Sequence, residues 1–236
     1  MQSVHRYKYI CISFDALDTA GKSTTIEQVT KRLTEKGFTV KVFKDLTDNN
    51  ESTSLPSDKP SFITEIRETF IDNKKYKELK KSLTPLLITI PRLNMIEDIY
   101  NWINTRDETE KIVILLDRYV QSTLAYQQII VEDETLTNYL CEYAYSLLKP
   151  DLHILLDITY ETFNKRIQQK LNPDQMELSF NVDRINEIRQ TYLNNFKKHY
   201  NNEEPFYIID NNIFNKNIHI LNTLIDEGLE RVFNIS

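Results

Sequence analysis

The stretch FDALDTAGKSTT, residues 14–25, decides how this chain is read. It fits the phosphate-cradling pattern G-x-x-x-x-G-K-[ST] at every fixed position but one. Ala16 stands where the first glycine belongs; Gly21, Lys22 and Ser23 are in place. Alanine is the smallest replacement, but it gives up the backbone angles open only to glycine. No group that touches phosphate is lost. The backbone N–H groups from Asp18 through Thr24, by way of Thr19, Ala20 and Gly21, still face an anion at a helix N-terminus. Lys22 brings a cation to the β- and γ-phosphates, and the Ser23 hydroxyl can reach Mg²⁺. The alternative is an ordinary strand–turn–helix that happens to contain GKS. The chain has only three glycines in 236 residues, Gly21, Gly37 and Gly228, so one inside the pattern is informative.

The flanking sequence supplies the context such a loop needs. YKYICISFD (7–15) is apolar and β-rich and predicts a buried strand; 23–37 predicts a helix that stops at Gly37. Further strands are expected at 38–44, 111–117, 151–157 and 205–210. Helices are expected at 62–73, 75–83, 84–104, 120–130, 134–148, 160–170, 181–200 and 216–233. Thr84 and Pro85 form a helix start, and Pro91 lies inside that helix and should kink it. Continuous apolar strands alternating with helices mean a parallel sheet covered on both faces. The polar stretches 45–61 and 171–180 are candidate moving parts.

Composition narrows the function classes. Net charge is −6, with no basic stripe, which argues against a nucleic-acid-binding module. No apolar run approaches the roughly 18 residues of a membrane helix. Cys11 and Cys141 form neither a disulfide framework nor a metal-binding spacing, and they suit buried thiols in a reducing, cytoplasmic setting. A single domain over 1–236 is expected.

Four blocks together resemble the thymidylate kinase family. FDALDTAGKST is similar to that family's F-E-G-L-D-x-x-G-K-S/T. DRYVQSTLAYQ (117–127) resembles its D-R-Y/H-x-x-S-x-x-A-Y-Q nearly residue for residue. KPDLHILLDITYETFNKRI (149–167) looks like its P-D-L-x-x-x-L-D strand and helix. DQME (174–177) with IRQTY (188–192) falls where it has a lid. The resemblance implies a phosphate-loop NTPase fold, a five-stranded parallel sheet with helices on both faces and a short lid at about 168–180. It implies transfer of the ATP γ-phosphate to a deoxynucleoside monophosphate, dTMP, with Mg²⁺, in a homodimer. It places Asp18 near the acceptor sugar and phosphate, and Arg118 on the acceptor phosphate, a bidentate task suited to guanidinium. Ser122, Tyr126 and Gln127 fall near base and sugar, Arg67 on the substrate arm, Arg92 at the thymine edge and Arg166 near adenine. Asp117, at the carboxyl edge of a strand, joins Ser23 as a candidate metal ligand. Plainer roles stay open: a helix cap for Asp117, a core role for Tyr126, solvated helix faces for Arg67, Arg92 and Arg166.

The sequence also departs from the family pattern. Ile88 replaces the aromatic that stacks on the base, and Pro91 adjoins Arg92. Leu46 replaces an arginine that would reach the acceptor phosphate, leaving Lys44 as a nearby cation. Thr19 and Gln175 are neutral where family members carry an arginine in the loop or the lid. Lys170 at the base of the lid is the nearest substitute, four residues after Arg166. These departures keep two rival readings open: a kinase of the same fold with another acceptor, and a non-enzymatic nucleotide-binding copy.

Overall fold

The computed structural model describes residues 9–45, 84–127, 134–170, 181–202 and 204–234. The expected helices at 62–73 and 75–83, the arm beyond Asp45 and the lid segment 171–180 lie outside the described residues. In chain order the elements are β1 (Tyr9–Ala16), α1 (Lys22–Glu35), β2 (Thr39–Lys44), α2 (Thr84–Asn104), β3 (Ile112–Asp117) and α3 (Val120–Gln127). There follow α4 (Glu134–Leu147), β4 (Leu152–Asp157), α5 (Tyr160–Ile167), α6 (Val182–Asn201), β5 (Phe206–Asp210) and α7 (Ile218–Phe233). All strands are parallel, in the order β2-β3-β1-β4-β5. β1 is central, and β3 and β4 flank it in register, Phe14 opposite both Asp117 and Ile154.

β3 and β4 read as unbroken apolar runs because both their faces are buried, whereas the edge strands β2 and β5 are only partly buried. Successive side chains of β1 alternate between two cores. Ile10, Ile12, Phe14 and Ala16 pack with α1, α5, α6 and α7. Cys11 points the other way, among Met95, Ile96, Ile99 and Ile103 of α2 and Cys141 and Ala144 of α4. Both cysteines are buried and free. Gly228 lets α7 sit close on the sheet, since a Cβ there would lie 2.9 Å from Leu152 Cδ1 and 3.1 Å from Ile10 Cδ1. α1 ends as expected at Gly37, whose φ of 85° needs glycine. The Phe38 N–H reaches back 3.1 Å to the Leu33 carbonyl, satisfying an orphan helix-end acceptor.

Three corrections concern α2 and α5. The helix expected to 170 stops at Ile167. Its exit tightens into i→i+3 bonds, Gln169 N to Arg166 O at 3.1 Å and Lys170 N to Ile167 O at 3.2 Å. Lys170 therefore does not continue the helical face of Arg166. Arg92 is not on a solvated face; it is 1 % exposed. Ile88 is likewise buried. Pro91 does lie within α2.

His153 on β4 is fully buried between the rings of Tyr145 and Phe206, with centroids at 5.7 and 3.9 Å. Its Nδ1 is 2.8 Å from Ser13 Oγ and its Nε2 3.2 Å from Tyr145 Oη. A neutral imidazole satisfies both hydroxyls, because each can donate or accept. Burial, and next the nearby His199 and Lys149, push its pKa down to about 3. The unfolded histidine takes a proton below about 6.5. Between those values the unfolded state holds more protons, so this group's contribution to stability falls as pH falls. The limiting slope is about 1.4 kcal/mol per pH unit. Urea denaturation between pH 5 and 6.5 is expected to show wild-type stability falling faster than that of His153→Phe; parallel curves would remove His153 as the cause.

Candidate active site

The loop between β1 and α1 answers the question raised by Ala16. Ala16 is the last residue of β1, fully buried and in register with Leu156. Its backbone is a strand backbone, so the missing glycine costs the loop nothing there. The positive φ values fall later, at Thr19 (62°) and Gly21 (84°). Gly21 caps α1, whose opening N–H groups have no earlier helical carbonyl to bind. No acidic residue occupies that first turn, so nothing competes for the positive end of the helix. Ser23 and Thr24 are exposed there.

Lys22 opens α1 and pairs its ammonium with the Asp117 carboxylate at the end of β3. Burial and then the Arg118 cation push the lysine pKa down, while Asp15 and Asp18 push it up. The direct contact with Asp117 favours the charged form, since the nearest opposite charge dominates. Among the described residues no cluster of three or more His, Cys, Asp or Glu side chains could hold a metal. Magnesium is commonly held by one or two protein groups plus phosphate oxygens rather than by an all-protein cage. Ser23 and Asp117 are suitable donors of that kind.

Arg118 follows directly and has a φ of 74°. Left-handed backbone costs a non-glycine residue roughly 1–2 kcal/mol, so neighbouring bonds must hold it. Its N–H donates to the Phe14 carbonyl at 2.9 Å. The next N–H, of Tyr119, donates to Asp15 Oδ1 at 3.3 Å. The guanidinium pairs with Asp18 Oδ1 and donates to Ala16 O at 2.9 Å and Ser122 Oγ at 3.2 Å. Its carbon stands 5.3 Å from the Tyr126 ring centroid, and Tyr126 Oη donates to Asp18 Oδ2 at 3.1 Å. Asp18 and its neighbours raise the Arg118 pKa well above its ordinary value, outweighing burial. Asp18, Arg118, Ser122 and Tyr126 are thus one cluster beside the loop.

Arg166 reaches back from α5 to the loop. It donates to the carbonyls of Thr19 at 3.1 Å, Asn211 at 2.8 Å and Asn212 at 3.2 Å. It therefore fastens the loop to the segment after β5 rather than lying on a solvated helix face. Asn211 Nδ2 adds a bond to Ala20 O at 2.6 Å. Lys170 is exposed, beyond the end of α5.

Arg92 is brought to a different place. It pairs with Asp45 just after β2, donates to Thr123 Oγ1 at 2.6 Å and lies over the Tyr119 ring at 5.8 Å. Lys44 ends β2 opposite Asp117. Gln127 closes α3, and its side chain lies outside what is described, as do Arg67, Leu46 and Gln175. Three residues that sequence reasoning passed over belong to the site: Asp15, Tyr192 and Asn211. Asp15 carried a signal, a carboxylate inside an otherwise apolar strand. Tyr192 stood in IRQTY, but its partners lie 70 and more residues away.

A family model described as thymidylate kinase matches residues 14–213. The probable thymidylate kinase of Sulfurisphaera tokodaii is 30% identical over 188 residues, 80% of this chain and 83% of its own length. That of Archaeoglobus fulgidus is 26% identical over 187 residues, covering 78% and 81%. The thymidylate kinase of Ligilactobacillus salivarius is 27% identical over 206 residues, covering 84% and 88%.

A Cβ on Gly21 would meet the Phe214 ring at 3.0 Å, on a backbone that side chains rarely adopt. Gly21→Ala is expected to weaken nucleotide binding about tenfold or more, the size of the 1–2 kcal/mol left-handed penalty. Ala16→Gly is expected to leave it unchanged. Calorimetric titration of both variants checks the pair, and equal effects would move the critical angle away from Gly21.

Proposed function

Because the chain belongs to the thymidylate kinase family, we propose that it transfers the γ-phosphoryl group of Mg-ATP directly and in line to dTMP, giving dTDP. A kinase acting on a nucleoside monophosphate follows from the family; the donor, the metal, the base and a homodimeric assembly belong to this reading. One observation supports it most. The adjacent residues Asp117 and Arg118 face two different cationic tasks at one sheet edge. Asp117 holds the loop lysine, and Arg118, its neighbour in the chain, pairs with the loop carboxylate Asp18. A donor phosphate on Lys22 and an acceptor phosphate on Arg118 would then lie at one sheet edge, and phosphoryl transfer asks mainly for alignment and charge neutralisation.

In this reading Lys22 leaves Asp117 for the donor phosphates, and Asp18 yields Arg118 to the acceptor phosphate or sugar. Ser23 and Asp117 would hold Mg²⁺, which supplies further positive charge to the phosphates. Tyr126 and Gln127 flank the acceptor, with Arg67 from the arm. Arg166 braces the loop on the donor side. With Thr19 and Gln175 neutral, Lys170 supplies the remaining charge from the base of the lid, less well than a bidentate arginine would.

Arg92 favours a second reading within the same class. Its guanidinium is buried against Asp45 and Thr123, and Ile88 offers no ring to stack on. Aromatic stacking contributes about 1–3 kcal/mol per base. A kinase with a different or less discriminating base preference fits those two residues.

Release of ADP from Mg-ATP with a panel of monophosphates tests the reading. dTMP is expected to be the best acceptor; preference for another base selects the second reading, and no acceptor dependence ends both. Lys22→Ala is expected to lower kcat at least about 100-fold. Lys170→Ala is expected to lower kcat more than either KM, with Gln175→Arg restoring it; wild-type kcat in Lys170→Ala removes that lysine from the mechanism.

A further inference from the structure

Ser122 sits at the junction of three side chains. Its Oγ lies 2.5 Å from Asp15 Oδ1, 2.8 Å from Tyr192 Oη and 3.2 Å from Arg118 Nη1. Arg118 can only donate, and an ionised Asp15 can only accept. A hydroxyl has one proton and two lone pairs. The serine proton therefore goes to Asp15, and its lone pairs take Arg118 and the tyrosine O–H. With Asp15 ionised the serine hydroxyl is fully used, while Tyr192 Oη also lies 3.5 Å from Ala16 O and accepts from Arg118 Nη1 at 3.4 Å.

The junction is dry. Asp15 is 0 %, Tyr192 1 % and Ser122 6 % exposed. Among the described residues Asp15 Oδ2 has no hydrogen-bond partner, although buried polar atoms are normally paired. Burial raises the Asp15 pKa above its ordinary value, against the opposing pull of Ser122, the Tyr119 N–H, Arg118 and Lys22. The same Oδ1 receives the Tyr119 N–H at 3.3 Å, the bond immediately after the left-handed Arg118. Asp15 thus restrains Arg118 twice, through the backbone turn and through Ser122. Tyr192 comes from α6, the helix that follows the 171–180 segment, and Tyr126 packs edge-on against it at 6.2 Å.

Accepting the reading above, in which Arg118 grips the acceptor phosphate, we infer that Asp15, Ser122 and Tyr192 act as one positioning unit for Arg118. They set acceptor affinity through Arg118 rather than by touching the acceptor, which gives Ser122 a positioning role in place of the base-and-sugar contact that the resemblance implies. Asp18 is the exchangeable counter-ion of Arg118, about one-quarter exposed at its side chain; Asp15 is the permanent one. A strained arginine held in this way keeps its fork aimed when Asp18 lets go, so the acceptor phosphate finds it already oriented.

The test uses near-isosteric variants, each removing or altering a single polar group: Asp15→Asn, Ser122→Ala, Tyr192→Phe and the double variant Ser122→Ala/Tyr192→Phe, with Arg118→Ala as reference. KM for monophosphate and for ATP, kcat and the melting temperature are measured for each. Every single variant is expected to raise acceptor KM about 3- to 10-fold, the size of one hydrogen bond, with ATP KM within about twofold. The double variant is expected to match the larger single effect, because the two side chains serve one junction. Effects that multiply, or KM values that rise together for both substrates, overturn the unit. So does a drop in melting temperature with unchanged kinetics, which is a structural role alone. An Arg118→Ala enzyme with unchanged acceptor KM overturns the acceptor reading itself. An Arg118→Ala enzyme with raised KM beside unaffected positioning variants overturns this inference only.

Discussion

The hydrogen bond from the Arg118 N–H to the Phe14 carbonyl joins two events that the rest of the site depends on. β1 ends two residues later and releases the loop; β3 has just ended and turns sharply into α3. In a parallel pair the bond ladder would simply stop at this edge. Here one more bond is made by a residue whose backbone has already left the strand region. The consequence is geometric. Lys22 arrives from the loop onto Asp117, and Arg118 meets Asp18 of the same loop. Two cations that would repel if free are each paired with a carboxylate.

Charge at this edge is balanced before any substrate arrives. Lys22 has Asp117, and Arg118 has Asp18 and, through Ser122, Asp15. An unpaired buried cation would be costly, because desolvation in the interior is not repaid. The carboxylates make the cluster stable in the free protein, and they also make it exchangeable. An entering phosphate replaces one anion by another of higher charge, which needs no new burial of positive charge. The acidic net charge of the chain, −6, is compatible with an anionic substrate for this reason. What matters is the field within about one Debye length of the loop, on the order of 8–10 Å.

Much of this was legible in the sequence, and the failures have causes. The inner strands were readable because two-sided burial leaves continuous apolar runs such as IVILLD and LHILLD. The loop and Arg118 were readable because each lies in a contiguous motif, although Arg118 meets Asp18 across 100 residues of chain. The strand order was not, since crossover helices leave pairing partners unmarked. The end of α5 was misplaced because its last turn tightens, which the helical period does not announce. Arg92 was read with a solvated face as one option because its counter-ion, Asp45, is 47 residues away. Tyr192 and Asp15 were passed over for the same reason: each meets the site through bonds spanning 70 to 107 residues. Local pattern carries the elements and the loop; long-range polar pairing carries the precision of the site.

The alanine at position 16 shows how the two kinds of information combine. As a motif match it is a defect; as a position in the sheet it is the last buried rung of β1, opposite Leu156. A strand rung needs a small side chain against the core and an extended backbone, and alanine provides both. Its carbonyl is the group the site uses, accepting from the Arg118 guanidinium at 2.9 Å. Any residue supplies that carbonyl, provided the strand runs this far. The requirement for glycine therefore falls on the residue where the chain enters α1. There Gly21 combines a left-handed backbone with a Phe214 ring 3.0 Å from where a Cβ would lie. Of the motif's two glycines, the chain carries the one whose backbone and surroundings disfavour a side chain.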